Sequence, residues 1–333
     1  MLFRSVISFI NLKGGVAKTT ATVQLADTLA FMKQKRVLVI DLDPQTNATL
    51  ALIGEDRWEQ ADDDGQTLAH LFLDLLRGDG TFTFDATQAI IRGVSNLNRV
   101  PPEMIDQLPE GTRYGRVDLL PSSIRLIDVQ DRMQDIAGRS HYSVGPMEAV
   151  KKFVAPAFSA YDYVLIDCPP NLGFVTQNGL EVSDHYLIPT IPDRLSTYGI
   201  PQIAARIAQI RRARDLRLRC LGVLITKYQS QSAQHRQGLQ RLPDDLRVAF
   251  ETTGEDTPPI LTTVLPQTNA SAEAMTSDRA PANYREKYGS GVVAGQAAYK
   301  YGLDLADEIE DLLGGQTRAP SPFSQWAQAM GGR

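Results

Sequence analysis

The stretch "SVISFINLKGGVAKTT", residues 5–20, joins an apolar strand to a glycine-rich turn and then to the start of a helix. Gly14 and Gly15 permit close backbone approach and unusual dihedral angles. The helix begins with a lysine and two hydroxyl residues, Lys18, Thr19 and Thr20. Since the first N–H groups of a helix lack intrahelical acceptors and attract anions, the stretch predicts a phosphate cradle at the end of a β-strand.

The cradle departs from the ordinary phosphate-loop pattern G-x-x-x-x-G-K-[ST], because Leu12 and Ala17 occupy the two glycine positions. The Ala17 methyl group costs on the order of 1 kcal/mol if the backbone there requires a positive φ, and almost nothing otherwise. The loop also carries an extra lysine, Lys13, for which the pattern has no place. A glycine-rich turn that binds no ligand is the alternative interpretation of this stretch.

Apolar runs rich in β-branched residues recur along the chain and alternate with segments of helical character. They predict seven strands, at residues 5–11, 36–41, 116–121, 162–167, 185–190, 219–226 and 260–264. The predicted helices include residues 19–33, 124–136, 146–154 and 200–213. This alternation favours an α/β fold, a doubly wound and mostly parallel sheet flanked by helices.

The chain has 333 residues, which is enough for one large α/β domain. We expect a single domain over residues 1–314, with an inserted or variable segment at about 54–116, and a flexible tail over residues 315–333. Two stretches within or next to the inserted segment, 54–65 and 92–116, are predicted to be surface loops, because acidic residues, glycine and proline are frequent there.

Composition gives mainly exclusions. A formal net charge of −5 shows no overall preference for nucleic acid, so a DNA-binding surface has to be a local patch. The cysteines Cys168 and Cys220 have neither a zinc nor a disulfide spacing, and they do not resemble the ligand pair of iron–sulfur relatives. No stretch is long and apolar enough to span a membrane, and the first ten residues lack the features of a signal peptide. We expect a cytoplasmic protein.

Aspartates end two other predicted strands. Asp41 ends the strand in "VLVIDLDPQTNAT", with Asp43 two residues later, and Asp167 ends the strand in "YDYVLIDCPP". Because the carboxyl ends of parallel strands meet at one edge of a sheet, we expect these carboxylates to converge with the phosphate cradle in one crevice. A carboxylate in this place can hold a Mg²⁺-bound water molecule.

The sequence resembles the ParA/MinD family of deviant-Walker ATPases, whose loop K-G-G-x-x-K-[ST] is matched from Lys13 to Thr19. Four further segments match the family across nearly the whole chain: "DLDPQ" (41–45), "LLPSS" (119–123), "DCPP" (167–170) and "TVLPQTNASAEA" (263–274). The resemblance implies the P-loop NTPase fold with a deviant Walker A loop, and the cofactors ATP and Mg²⁺.

The resemblance also implies roles for individual residues. Lys18 neutralises phosphate charge within its own chain, whereas Lys13 reaches phosphates bound by a partner subunit, so that ATP holds a homodimer together. Asp43 orients or activates the attacking water. Three residues are implied to hold the metal, directly or through water: Thr19, Asp41 and Asp167. The other implied nucleotide contacts are Gly14, Gly15, Val16, Ala17, Thr19, Thr20 and Pro266. The alternatives are a solvated loop cation for Lys13 and a capping or turn carboxylate for Asp41.

The densest basic stretch is "RIAQIRRARDLRLR", residues 206–219, in which Asp215 is the only acidic residue. Its six arginines are the predicted DNA-binding residues: Arg206, Arg211, Arg212, Arg214, Arg217 and Arg219. The family resemblance implies sequence-independent binding to DNA by the ATP-bound dimer, which would make binding steeply salt-dependent. A solvated helix face is the alternative interpretation.

The function implied by the resemblance is that of an ATP hydrolase acting as a switch, associated with the nucleoid, which partitions or positions a plasmid, chromosome or protein assembly. A ParB-like or other adaptor protein would stimulate hydrolysis. A MinD-like membrane-associated ATPase is one alternative, suggested by Phe323, Trp326 and Met330 in the tail, but membrane-surface helices are normally rich in Lys and Arg and this segment is not. A nucleotide-binding scaffold with negligible turnover is another, supported only by Ala17.

Overall fold

Seven parallel strands form the central sheet of the protein. The computed structural model describes residues 5–77, 81–98, 104, 114–136, 144–229, 231–276, 281–293 and 295–314. The strands are β1 Ser5–Phe9, β2 Arg36–Asp41, β3 Arg116–Leu120, β4 Tyr163–Asp167, β5 His185–Thr190, β6 Arg219–Thr226 and β7 Ile260–Leu265. All seven predicted strands are therefore confirmed, each with bounds within two residues of those expected.

The strand order is β3-β2-β4-β1-β5-β6-β7, and every pairing in this sheet is parallel. The chain therefore winds outward from β1 in both directions, which confirms the doubly wound α/β prediction. A separate two-stranded antiparallel ribbon pairs β8 Val292–Val293 with β9 Gln296–Ala297. Its strands are too short to give a signal in the sequence.

Helices cover both faces of the sheet. They are α1 Lys18–Asp27, α2 Asn47–Asp63, α3 Leu68–Arg77, α4 Ala86–Ala89, α5 Leu126–Arg132, α6 Ala149–Phe153, α7 Phe174–Glu181, α8 Arg194–Thr197, α9 Ile200–Arg214, α10 Ala233–Glu251, α11 Asn269–Glu273, α12 Tyr284–Tyr288 and α13 Lys300–Leu313. A π-helical turn, Thr28–Met32, extends α1, and 3₁₀ turns occur at Met133–Asp135 and Ala155–Ala160. The four predicted helical segments are all confirmed.

Alternation along the strands divides the core between the two faces. On β1, Ile7 and Phe9 pack with α1 and α13, whereas Val6 faces the side covered by α3, α5, α6 and α7. Farther along the same side, α9 and α10 cover β5 and β6. Since successive side chains of a strand point to opposite faces, both faces of a sheet covered on both sides are apolar. This burial fixes the strand register and thereby the positions of the residues at the strand ends.

The prediction of a surface loop at residues 54–65 is wrong. Residues 47–63 are helical, with a single break at Gly54, where φ is 75° and ψ is 173°. A further helix, α3, lies within the segment expected to be inserted or variable and buries Leu68, Leu71, Phe72 and Leu75 in the core. In the second predicted loop, residues 92–98 contain no helix or regular strand, and much of the remainder, like the tail 315–333, lies outside the described residues.

Candidate nucleotide-binding site

The predicted phosphate cradle lies between β1 and α1. Gly15 has a φ of 74° and Ala17 a φ of 60°, so both adopt the left-handed conformation, and α1 begins directly afterwards at Lys18. The position of Ala17 does require a positive φ, which costs a residue with a side chain about 1–2 kcal/mol. A Cβ atom built on Gly14 or Gly15 would meet nothing within 4 Å, so this side of the loop is open.

The open side of the loop presents backbone donors. Within the described part of the chain, no backbone carbonyl accepts a hydrogen bond from the N–H groups of residues 14–20. The Lys18 ammonium lies against the loop and donates to the carbonyls of Asn11 and Lys13, both at 3.2 Å. Burial lowers the pKa of Lys18, while Asp167 and Asp43 act in the opposite direction. Free N–H groups and a lysine therefore surround a space suited to phosphate.

Asp167, at the end of β4, lies next to the cradle and is fully buried. Its Oδ2 atom accepts a hydrogen bond of 2.6 Å from the Thr19 hydroxyl, whereas its Oδ1 atom has no partner among the described residues. Burial, and then the neighbouring Asp41, raise the pKa of this carboxyl well above its ordinary value. A buried carboxylate oxygen without a partner costs free energy unless a ligand or cation satisfies it.

These two residues fit a magnesium ion. No group of three or more His, Cys, Asp or Glu side chains in the described residues is arranged to hold a metal alone. Mg²⁺ in phosphate-binding loops, however, takes most of its ligands from phosphate oxygens and water. The Thr19 hydroxyl and the unpartnered oxygen of Asp167 supply the oxygen donors that such an ion requires from the protein.

Asp41 is placed differently from its neighbour Asp167, although the two residues are paired across β2 and β4. Its Oδ1 atom accepts from the Asp43 N–H at 3.0 Å, and its Oδ2 atom accepts from the Thr49 N–H and hydroxyl at 2.9 and 2.8 Å. Burial raises its pKa to about 7, against the hydrogen bonds from Thr49 and Asp43 that lower it. These contacts favour the capping role for Asp41, and its role at the metal stays a prediction.

Asp43 lies on a tight turn before α2. Its Oδ1 atom accepts from the Gln45 N–H at 3.0 Å, and its carbonyl accepts from the Ser122 hydroxyl at 2.7 Å. Ser122 belongs to the "LLPSS" segment at the end of β3, which thus fixes the turn that carries Asp43. Asp43 is only 7% exposed, and this exposed part faces a cavity.

This cavity has a volume of ≈ 700 Å³ and opens over the cradle. Its walls contain many of the predicted residues, namely Gly14, Gly15, Ala17, Lys18, Thr19, Thr20 and Asp43. Val16, Asp41 and Asp167 are buried behind the wall, and Pro266 is half-exposed but does not line it. Met275 and Thr276, ten residues farther along, form that part of the wall instead.

Sequence reasoning missed further residues of the wall: Gln45, Asn47, Leu50, Ala51, Gly54, Glu55, Pro170 and Lys227. Five of these lie on α2, for which no helix was predicted and whose part from Gly54 onward was expected to be a loop. Lys227 could have been predicted from the sequence, because it directly follows a predicted buried strand. The carboxyl ends of parallel strands form the ligand crevice of this fold.

Lys13 contacts a segment of its own chain. Its ammonium donates to the Ser196 hydroxyl at 2.9 Å and lies 3.4 Å from an oxygen of Asp193, and 36% of its side chain is exposed. Lys13 is therefore not a freely solvated cation in this structure. The segment that holds it continues into two exposed apolar side chains, Leu195 at 77% and Tyr198 at 73%.

The six-arginine patch does not form a continuous basic surface. Arg214 contacts Glu181 at 2.7 Å and Glu148 at 2.8 Å, and Arg211 contacts Glu255 at 2.5 Å. These two side chains are largely neutralised by acidic partners that are distant in the sequence. Arg212 is exposed but donates to the carbonyl of Thr253. Four arginines of the patch are exposed and form no ion pair with a carboxylate of the described residues: Arg206, Arg212, Arg217 and Arg219.

Arg217 and Arg219 are not close to the cradle. Arg219 begins β6, whereas the cavity lies at the other end of that strand, at Lys227. With a rise of ~3.3 Å per residue, the two ends of β6 are more than about 20 Å apart. A nucleotide in the cavity therefore does not contact Arg217 or Arg219. Among the described residues, no helix is long and apolar enough to cross a membrane.

Comparison with known proteins agrees with this geometry. A family model described as an AAA domain matches residues 4–220. The chain is 30% identical over 221 residues to the sporulation initiation inhibitor protein Soj of Bacillus subtilis, covering 66% of this chain and 72% of Soj. The chain belongs to the ParA/MinD family of deviant-Walker ATPases. It is also 28% identical over 246 residues to the chromosome partitioning protein ParA of Caulobacter vibrioides, covering 74% of this chain and 76% of ParA.

Solved structures of ParA-like proteins share the fold. The similarity to a variant of Cyanothece McdA in complex with ATP has a TM-score of 0.63 at 17% identity, over 96% of this chain and 100% of that one. For pNOB8 ParA bound to nonspecific DNA the TM-score is 0.60 at 19% identity, over 95% and 100% of the chains. Cobyrinic acid a,c-diamide synthase of Mycobacterium smegmatis, with bound ADP and magnesium, is 25% identical, with a TM-score of 0.57 over 81% and 89%.

Proposed function

We propose that this protein is an ATP-hydrolysing switch that dimerises on ATP, binds DNA without sequence specificity and positions a cargo on it. The observation that carries the proposal is the common cavity that brings Lys18 and Asp43 together with Thr19, whose hydroxyl donates to the buried carboxylate of Asp167. The relative named as a chromosome partitioning protein, and fold neighbours solved with ATP or with nonspecific DNA, support the same function.

Phosphoryl transfer to water requires charge neutralisation and a positioned nucleophile more than covalent chemistry. The N–H groups of the loop and the Lys18 ammonium hold the phosphates of ATP. Thr19 and Asp167 hold Mg²⁺, which neutralises charge on the phosphate oxygens. Asp43, whose turn is fixed by Ser122 and Gln45, orients the attacking water. Two variants test these roles: Asp43→Ala retains ATP binding and loses hydrolysis, whereas Lys18→Ala loses binding.

Lys13 is the residue by which ATP controls assembly. In the single chain it is held by Asp193 and Ser196. In the dimer it leaves them to contact the phosphates of the partner, and the exposed Leu195 and Tyr198 next to it become covered. Lys13→Ala therefore binds ATP as a monomer. Lys151→Ala is the matched control, because this lysine is exposed and forms only a surface ion pair with Glu181. An ATP-dependent Lys13→Ala dimer would contradict the role.

Binding to random-sequence duplex DNA, titrated with salt in the presence of ATP or of ADP, tests the output. We expect binding with ATP only, with a slope of about −0.9 per phosphate contact in a plot of log K against log salt. Since Arg217 and Arg219 lie far from the cavity, the effect of ATP on their binding comes from pairing two chains and doubling their contacts. Arg217→Ala and Arg219→Ala reduce the slope, whereas Arg214→Ala leaves it unchanged, because Glu148 and Glu181 already neutralise Arg214.

If the protein binds DNA neither with ATP nor with ADP, the proposed DNA-binding function is excluded. Anionic vesicles would then be the next surface to test, since a MinD-like protein binds membranes. The cargo and its adaptor protein are identified separately, by the increase in the rate of hydrolysis that the adaptor causes in the presence of DNA.

A further inference from the structure

The carboxyl end of β6 holds the phosphate loop by two successive side chains. The Thr226 hydroxyl donates to the carbonyl of Val16 at 2.9 Å, and the Lys227 ammonium donates to the carbonyl of Gly15 at 2.9 Å. Thr226 is buried, whereas Lys227 is half-exposed and lines the nucleotide cavity. The cavity is therefore lined by a lysine that the deviant loop does not contain.

These two contacts set the direction of the N–H groups in the loop. In a trans peptide unit the C=O and N–H bonds point in opposite directions. The carbonyls of Gly15 and Val16 belong to the same peptide units as the N–H groups of Val16 and Ala17. Because β6 holds both carbonyls, both N–H groups are directed away from β6. Together with the left-handed Ala17, they form the concave arrangement of donors that binds anions.

The backbone of Lys227 is itself held in an unfavourable conformation. Its φ is 50°, in the left-handed region, and its N–H donates to the carbonyl of Leu265 at 2.7 Å. A residue with a side chain persists in this region only where its surroundings impose it, and such residues concentrate at functional sites. Here the pairing with the end of β7 imposes the conformation, and the conformation places the ammonium on the loop.

We propose that Lys227 is a positioning residue of the nucleotide site, which orients the phosphate loop toward the diphosphate part of the nucleotide. It holds the Gly15 carbonyl so that the loop presents N–H groups and no carbonyl to the anion. The proposal rests on the proposed function and adds to it the part of the nucleotide toward which this residue orients the loop.

The test measures the dissociation constants of MgADP and of AMP, by calorimetry and by competition, for the parent and for Lys227→Met, Lys227→Arg and Lys151→Met. We expect Lys227→Met to bind MgADP about 10- to 100-fold more weakly, which corresponds to the loss of a charge-assisted hydrogen bond. AMP affinity changes less than about twofold, because AMP lacks the β-phosphate. Lys227→Arg retains most of the MgADP affinity, and the exposed control Lys151→Met retains all of it.

Two results would overturn the proposal while the proposed function stands. One is a Lys227→Met variant that binds MgADP as the parent does while Lys18→Ala does not. The other is an equal loss of MgADP and AMP affinity, which indicates general disruption of the site. A parent that binds neither nucleotide refutes both. If Lys227→Met is unstable, Lys227→Gly takes its place, because glycine adopts the left-handed conformation without strain while it removes the ammonium.

Discussion

The buried carboxylates Asp41 and Asp167 predict that the nucleotide-free protein loses stability as pH rises. Both have a folded-state pKa above the ordinary value, and that of Asp41 is about 7 in place of 3.8. The folded chain therefore binds protons more tightly than the unfolded chain between about pH 4 and pH 7, and its free energy of unfolding falls as pH rises through this window. For Asp41 alone, a pKa near 7 in place of 3.8 corresponds to about 4 kcal/mol.

Asp167→Asn removes one charge of this pair and keeps the shape of the side chain. The variant loses the charge-assisted hydrogen bond from the Thr19 hydroxyl, which costs about 1–2 kcal/mol. It also removes the cost of burying a carboxylate oxygen that has no partner among the described residues. We therefore expect a gain of about 1–3 kcal/mol in the free energy of unfolding at about pH 8, and little or no gain at about pH 5. Urea unfolding without Mg²⁺ or nucleotide, followed by circular dichroism, measures both values.

Asp118→Asn is the matched control, because Asp118 is equally buried but well paired. Its oxygens accept from Arg116 at 2.9 Å and from the Tyr161 hydroxyl at 2.9 Å. Loss of its charge weakens the bonds from the Arg116 guanidinium and the Tyr161 hydroxyl, and destabilises the protein at about pH 8. If Asp167→Asn also destabilised at about pH 8, or kept the full pH dependence of the parent, the unpartnered oxygen would not be the cost that we infer. With MgADP the parent becomes more stable than Asp167→Asn, since the ligand stabilises only the parent.

Three other perturbations follow from the structure. Ala17→Gly raises the free energy of unfolding by about 0.5–1 kcal/mol, because glycine adopts the left-handed conformation without strain. The control Ala213→Gly, in the exposed, right-handed part of α9, lowers it by about 1 kcal/mol. Urea unfolding measures the opposite signs of the two changes. Lys287→Met lowers the free energy of unfolding by about 3–5 kcal/mol in the same assay, because the buried Asp27, 2.6 Å from the ammonium, loses its charged partner. A change below about 1 kcal/mol would contradict this. Leu195→Asp changes monomer stability by less than about 0.5 kcal/mol and weakens the ATP-dependent dimer in light scattering, whereas an unchanged dimer would exclude Leu195 from the interface.

The seven strands were predictable because a parallel sheet covered on both faces leaves a strong signal. Each strand is a short apolar run that ends in a turn, and the polar residues at those turns, Asp41 and Asp167, mark the carboxyl edge. The loop from Lys13 to Thr19 and these aspartates therefore gave most of the site from the sequence. Local patterns suffice when a residue's role depends on its position along one strand or one helix end.

Predictions that depended on distant partners fared worse. The sequence shows Arg211 and Arg214 in a basic run, but Glu148, Glu181 and Glu255, which neutralise them, come from other elements. A local charge count contains no information on such pairing. Lys287 is likewise buried against Asp27, which lies far from it in the sequence. The acidic stretch after Gly54 was taken for a loop because charged residues also cover the solvent face of a helix.

The left-handed residues are the part of the site that no sequence pattern predicts. Outside glycine, five described residues have a positive φ, and three of them, Ala17, Thr46 and Lys227, lie in or directly beside the cavity. Alanine, threonine and lysine all disfavour this conformation, by about 1–2 kcal/mol for each residue. For two of them a backbone contact opposes that preference: the Thr46 N–H donates to the carbonyl of Asp43, and the Lys227 N–H donates to that of Leu265. The fold thus imposes strained backbone at the three turns that surround the nucleotide cavity, which indicates that these turns are selected for the geometry of the site at a cost in stability.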